Sequence, residues 1–336
     1  MKCFSVMAAA AAVMLVAAPP AARAEAKELR ISRGFGIHYL PMYILEKQKL
    51  VEKHAAAAGL GEIKISYRAI DGGNVINDAM LSGALDIAAG GVPGFLTLWG
   101  KTRGLPDNEV RGLAAVGSGS VWLVTRTPTV KTLRDFTEND RIAVPGIKTS
   151  FVAVVLQMAA AKEFGPENYA KLDHLTVGIP HPEALAAMLS GKTEITAHFS
   201  SPPFNYIEND TPGMHRVINS ADVVGPLTII MAYAPKRFHD ANPKLTAAFL
   251  SALDEATKFV AGNKAEAARM YNELAPVKSK DAEIMRILDD PDTHYTVSPE
   301  GVLTYAEFMN KVGTLKQKAS SWKDMFFPGI YDRPGS

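Results

Sequence analysis

Two hydrophobic periods take turns along this chain. From Glu28, "ELRISRGFG" runs as a short strand that breaks at glycine. "HYLPMYILEKQKLVEKHAAAAG" follows, with apolar residues at Leu40, Ile44, Leu45, Leu50 and Val51, the spacing of one helix face. Pro41 falls near the first turn, where its missing N–H is tolerated. "EIKISYRAI" alternates as a half-buried strand, and "GGNVINDAMLSG" is a short helix closed by Gly83. "ALDIAAGG" is a compact buried strand, "VPGFLTLWGKTRG" a further helix, and "EVRGLAAVGS" and "SVWLVTR" two more strands. Strand–helix alternation of this kind predicts an α/β fold with a mainly parallel sheet.

The pattern then restarts. After a short helix at "TLRDF" come a strand at Arg141–Val144, a turn, and a long apolar helix from about Ser150. "HLTVGI" reads as a strand, "HPEALAAMLSG" as a helix, "TEITAHFS" as a strand and "PPFNYIEND" as a short helix. A second α/β unit is expected from about Thr127 to Gly225. "LTIIMAYAPKRF" is a strand, and from Asn242 onward the chain reads as mostly helical. Two passages resemble each other, "NVINDAMLSGALDIAAGGVPGF" and "PEALAAMLSGKTEITAHFSSPPF". Each is a helix, "MLSG", a strand and a turn with proline. The repeat does not recur at a fixed short period, so it predicts two domains of like architecture and not a solenoid.

The amino terminus changes the picture of where the protein works. Lys2 precedes an apolar run from Phe4 to Ala18, then Pro19-Pro20 and the small-x-small triplet Ala22-Arg23-Ala24. This is the pattern of a secretory signal peptide cut after Ala24. The single cysteine, Cys3, lies in that leader, so the mature chain has no disulfide to form. Core burial must hold it together, most naturally as two domains. The formal net charge is +1 without long runs of one sign, against a nucleic-acid binder. After residue 24 no apolar run reaches spanning length.

Enzyme signatures are missing. There is no G-x-S-x-G elbow, and "GSGSVW" is out of register for one. The eight histidines show no H-E-x-x-H spacing, and there is no P-loop. His174 and His181 straddle a strand and a turn, a poor spacing for a metal.

The order of these motifs resembles the periplasmic substrate-binding proteins of ABC importers, in the branch with sulfonate-, taurine- and nitrate-binding proteins and thiamine-precursor binders. The residues that carry the likeness are Ile31–Tyr39, "GGNVINDAMLSGALDIAAGG", "TLRDF…RIAVPGIKTS", "PEALAAMLSGKTEITAHFSSPPF" and "KFVAGNKAEAARM". The resemblance implies a two-domain, type II-like fold with two crossing segments and a ligand in the interdomain cleft. By analogy the first domain takes residues 27–127 and 226–336, and the second takes 128–225. It implies a monomer without cofactor that captures a small-molecule ligand and delivers it to a permease in the inner membrane. Secreted sensing of a ligand for a membrane receptor would use the same cleft. The cytoplasmic pyrimidine synthases of this fold carry cysteine-rich sequence, which this chain lacks.

In open α/β sheets ligands bind beyond the carboxyl ends of strands. The turns expected there hold Gly34, Phe35, Gly36, His38 and Tyr39; Asp71, Gly72, Gly73 and Asn74; and Gly90, Gly91, Val92 and Pro93. In the second unit they hold Lys148, Thr149, Ser150 and Phe151, then His198, Phe199, Ser200, Ser201 and Pro202. Glycines admit close approach, helix starts offer N–H groups to anions, and the aromatics offer apolar walls. Each has a plainer alternative: a turn for Gly34 and Gly36, a cap for Gly72, Gly73, Asn74, Thr149 and Ser150, a staple for Phe35 and Tyr39, a core for His198. Trp122 either faces the cleft or packs in the core. The relatives' ligands predict an anion, with Arg33, Arg68 and Lys148 as the nearby cations. Many aromatics beside few cations suggest a ligand with a flat or apolar body carrying a carboxylate or sulfonate.

Overall fold

The computed structural model describes residues 24–225 and 227–336; residues 1–23 of the expected leader lie outside them. β1 (Glu28–Arg33) leads through a single 3₁₀ turn into α1 (Leu40–Gln48) and α2 (Leu50–Ala57). The one long helix expected here is two, because Lys49 adopts left-handed φ 52° and ψ 43°. Next come β2 (Lys64–Ala69), α3 (Gly73–Leu81), β3 (Ala88–Gly91), α4 (Val92–Thr102), β4 (Val110–Gly119) and β5 (Trp122–Thr125). After a 3₁₀ turn at Leu133–Asp135 come β6 (Ile142–Val144), α5 (Phe151–Phe164), β7 (Thr176–Gly178), α6 (His181–Ser190), β8 (Ala197–Ser200) and α7 (Phe204–Asn209). β9 (His215–Asn219) and α8 (Ala221–Val224) were not anticipated from the sequence pattern. The chain ends with β10 (Leu227–Pro235), α9 (Lys236–Ala241), α10 (Pro243–Gly262), α11 (Lys264–Leu274), α12 (Asp281–Leu288) and α13 (Val302–Lys311).

Two sheets share one topology. β1 pairs with β2, and an Ile31–Ile87 bridge joins that pair to β3, β10 and β4. The first sheet therefore runs β2-β1-β3-β10-β4, and the second runs β7-β6-β8-β5-β9. In each, one strand opposes the rest: β10 is antiparallel to β3 and β4, and β5 to β8 and β9. These are the strands that begin just after the chain crosses from the other sheet, which explains their reversal. β5 lies before residue 127 yet pairs wholly within the second sheet. The chain thus passes between sheets at Ser120–Val121 and again between β9 and β10. The two links pair with each other, since Val121 N donates to Ser220 Oγ and Ser220 N to Val121 O, both at 2.9 Å.

Burial supplies the cohesion. Leu29 and Ile31 of β1, Phe95 and Trp99 of α4, and Met231 and Tyr233 of β10 are fully covered. α10 lays Leu245, Phe249, Ala252 and Leu253 against α1 and α2. Fully burying side chains of this size stabilises by about 1.5–3 kcal/mol each. The repeat seen in the sequence is structural: α3 and α6 each lead into a central strand, and Gly83 and Gly191 follow them with φ 74° and 62°.

Candidate functional site

The turns at the carboxyl ends of strands in the two sheets face each other across a narrow cleft. Phe35, His38 and Tyr39 line it after β1, Asp71, Gly72 and Gly73 after β2, and Gly91 at the end of β3. From the second sheet come Thr149, Ser150 and Phe151 after β6, His181 after β7 and Ser201 after β8. Pro145, Ile76, Val121, Val152, Ile229 and Ile230 complete the wall.

The two lobes touch closely here. Asp71 Oδ2 accepts from His181 N at 3.3 Å, and Ile37 N donates to Pro202 O at 2.8 Å. Gly36 and Gly72 hold φ 101° and 90°, and a Cβ on either would lie 2.8 Å or 2.7 Å from the opposing carbonyl oxygens of Pro202 and Pro145. Neither position accepts a larger residue without backing the lobes apart.

Several expected residues have other work. Gly34 does not line the cleft; its missing Cβ makes room for the Tyr39 ring, whose Cζ would be 2.5 Å away. Gly36 also lies off the cavity wall, beneath Pro202. Asn74 is exposed, and Val92 is fully buried in the first turn of α4. His198, Phe199 and Ser200 are fully buried and do not reach the cavity. The reason is packing: β8 lies against α5, α6 and α7, so its side chains are covered, and the wall begins only at Ser201. Trp122 stacks on Tyr206 at 4.4 Å between ring centroids. The "GSGS" stretch serves His38, because a Cβ at Gly117 or Gly119 would collide with it. Among the polar residues of the wall, Asp71 was expected in the turn after β2, whereas His181 was not among the expected site residues. Its position at a strand-to-helix turn was the available signal.

The electrostatics are unusual for an anion site. None of Arg33, Arg68 and Lys148 lines the cavity, and its wall contains no lysine or arginine. Arg33 Nε donates to Glu46 Oε2 at 2.7 Å, and its guanidinium lies over Tyr43. Positive potential comes instead from helix starts. α3, α4, α5 and α6 all begin at the cleft, and the first N–H groups of a helix have no partner within it. Asp71 occupies two of these starts, accepting from Gly72 N at 3.1 Å as well as from His181 N. Burial still pushes its carboxyl up to about 6, the two N–H donors opposing the shift. Burial pushes His38 down to about 3, so its ring is neutral. Among the described residues, no group of three or more His, Cys, Asp and Glu side chains is arranged to hold a metal ion.

Comparison with known proteins follows the same lines. The family model described as NMT1-like matches residues 22–275, and the chain belongs to that family. Its fold is that of two-domain periplasmic binding proteins. The alkanesulfonate-binding protein SsuA of Xanthomonas axonopodis pv. citri, bound to MOPS, is 16% identical with a TM-score of 0.66, over 88% of this chain and 96% of that one. The periplasmic aliphatic sulphonate-binding protein SsuA of Escherichia coli is 17% identical with a TM-score of 0.63, over 91% and 99%. The periplasmic nitrate-binding protein NrtA of Synechocystis PCC 6803 is 14% identical with a TM-score of 0.65, over 93% and 86%. No curated protein matches the chain.

Proposed function

We propose that this protein is the solute-capturing component of an ABC importer, exported to the periplasm, with a permease of the inner membrane as its partner. It binds and does not catalyse. The lobes close on the ligand about the paired links at Val121 and Ser220. The ligand is a small organic anion with a flat or apolar body, such as a sulfonate or an aromatic carboxylate. One observation carries this reading: four helix starts converge on a closed, aromatic-walled cleft. Asp71 takes the starts of α3 and α6, leaving for the anionic head the start of α4, beside Gly91, and that of α5 at Phe151 and Val152, since Ser150 N already donates to Gly146 O at 3.0 Å. Phe35, Tyr39 and Phe151 supply the apolar walls. The periplasmic sulfonate- and nitrate-binding proteins with this fold support the role.

Asp71 favours a second reading, a pyrimidine-like heterocycle that offers it an N–H. A thermal-shift screen of mature protein, unfolded and refolded to strip carried ligand, separates the two. Ligand at 100 times its Kd adds about 2.7 kcal/mol and a clear rise in Tm. A response to sulfonates or aromatic carboxylates is expected. A response to pyrimidines alone would transfer the assignment to the second reading, and silence across all classes would overturn small-solute capture.

A further inference from the structure

The cleft read as an anion site carries a carboxyl group and neither lysine nor arginine. Asp71, in the turn between β2 and α3, lines the cavity and is half-buried, so part of its surface is left for a solute to cover. Three helix starts crowd the same small volume. A Cβ at Gly73, the first residue of α3, would lie 2.9 Å from Thr149 O and 3.1 Å from Gly94 Cα in α4. A Cβ at Gly91 would lie 3.3 Å from Phe151 N at the start of α5. An anion seated at the starts of α4 and α5 is therefore a near neighbour of Asp71.

Burial already pushes this carboxyl up to about 6, against the two N–H groups of His181 and Gly72 that favour its ionised form. A seated anion acts in the same direction twice. It displaces water from the carboxyl, and it sets a second negative charge beside it; both favour the neutral acid. The surrounding groups do not supply the missing positive charge. His198 on β8 opposes the shift more weakly than the N–H groups, and Glu183 on α6 adds to it. Burial holds His38 and His181 neutral, and the hydroxyls of Tyr39 and Tyr43 keep their protons. Arg33 is engaged by Glu46, and Lys148 lies off the wall.

We infer that Asp71 takes up a proton as the cleft closes on an anionic solute, and that the resulting carboxylic acid donates a hydrogen bond to an oxygen of the solute's head. The proton comes from water. The acid O–H is the donor, while each carboxyl oxygen can go on accepting from its N–H partner. This rests on the organic-anion reading and refines it: the solute is captured together with a proton, its charge balanced by uptake instead of by a basic side chain. The heterocycle reading requires the opposite, an ionised Asp71 that accepts from the solute's N–H.

Benzenesulfonate is the probe, because it stays ionised throughout and any proton taken up belongs to the protein. Titration calorimetry of the mature protein at pH 7 in bis-tris and in Tris, cationic buffers of different ionisation enthalpy, counts the protons bound per solute. About half to one proton is expected. The bound state holds that proton more tightly than the free state, so affinity should fall about three- to tenfold as pH rises from 6.5 to 7.5. Asp71→Asn is neutral at every pH and has an amide N–H in place of the acid O–H. It should take up no proton, bind with the same affinity across that range, and bind more tightly than the unsubstituted protein at pH 8, a gain that damage to the cleft would not give. If it does not fold, Asp71→Ser takes its place in the comparison. Binding without proton uptake, uptake that persists in the variant, or loss of binding in the folded variant would each overturn the inference and leave capture of a small solute standing. Silence toward both benzenesulfonate and benzoate from pH 5 to 8 would overturn the anion class, and the inference with it.

Discussion

Asp71 has been placed where its charge is costly, and that has a sign. Its folded pKa, pushed up to about 6 by burial, lies above the ordinary aspartate value. The folded state therefore holds the proton more tightly than the unfolded chain between about pH 4 and 6. This contribution to stability is present at acid pH and is lost as pH rises through about 6. The Tm difference between wild type and Asp71→Asn should fall across that window and level off above it; a flat difference would place the carboxyl in water. Gly72 offers a second test at this scale. Gly72→Ala puts a Cβ 2.7 Å from Pro145 O at a φ of 90°. We expect at least tenfold weaker ligand binding, measured by titration calorimetry, because closure is blocked where the lobes meet. Glycines and small polar residues at the turns were legible in sequence. Their facing was not: Gly34 and Gly72 look alike in the chain, yet one seats an aromatic ring and the other seats the opposite lobe.

Strands and helices were the most legible level, because period-two and helical patterns are local. The exceptions are instructive. Lys49 divides α1 from α2 with no glycine or proline to announce it. A left-handed residue with a Cβ costs roughly 1–2 kcal/mol, partly recovered by Gly at an entropy cost. Lys49→Gly should raise stability by up to about 1 kcal/mol in urea denaturation with no change in m-value, and a loss of stability would mean that the lysine side chain is needed there. β9 escaped notice because it is a short edge strand, half-buried and without strict alternation. Its place beside β5 depends on a strand about ninety residues earlier, a relation that no local window contains.

At the scale of the molecule, the two lobes also meet outside the cleft. α12 and the segment after it reach across to α7: Tyr206 Oη donates to Asp290 Oδ2 at 2.7 Å, and Arg286 pairs with Asp210. The exposed ion pair contributes at most about 1 kcal/mol. The hydroxyl–carboxylate bond beneath it is worth about 1.5–3 kcal/mol. Tyr206→Phe should therefore weaken ligand binding about tenfold by favouring the open form. Small-angle X-ray scattering should show a larger radius of gyration at matched ligand concentration. An unchanged affinity and radius would mean that these contacts do not distinguish open from closed.

The sequence by itself determined the alternation of strands and helices, the twofold use of one strand–helix–strand unit, and the turns that bear glycine, hydroxyl and aromatic residues. These follow from local periodicity and from residue chemistry within a few positions. Only the tertiary structure decided which turns confront each other. Asp71 and His181 are 110 residues apart and meet because the chain crosses twice between two sheets of the same order. It also decided that His198 is covered, its Nε2 lying 2.8 Å from Nδ1 of His181 at the cleft wall, because β8 is packed against α5, α6 and α7.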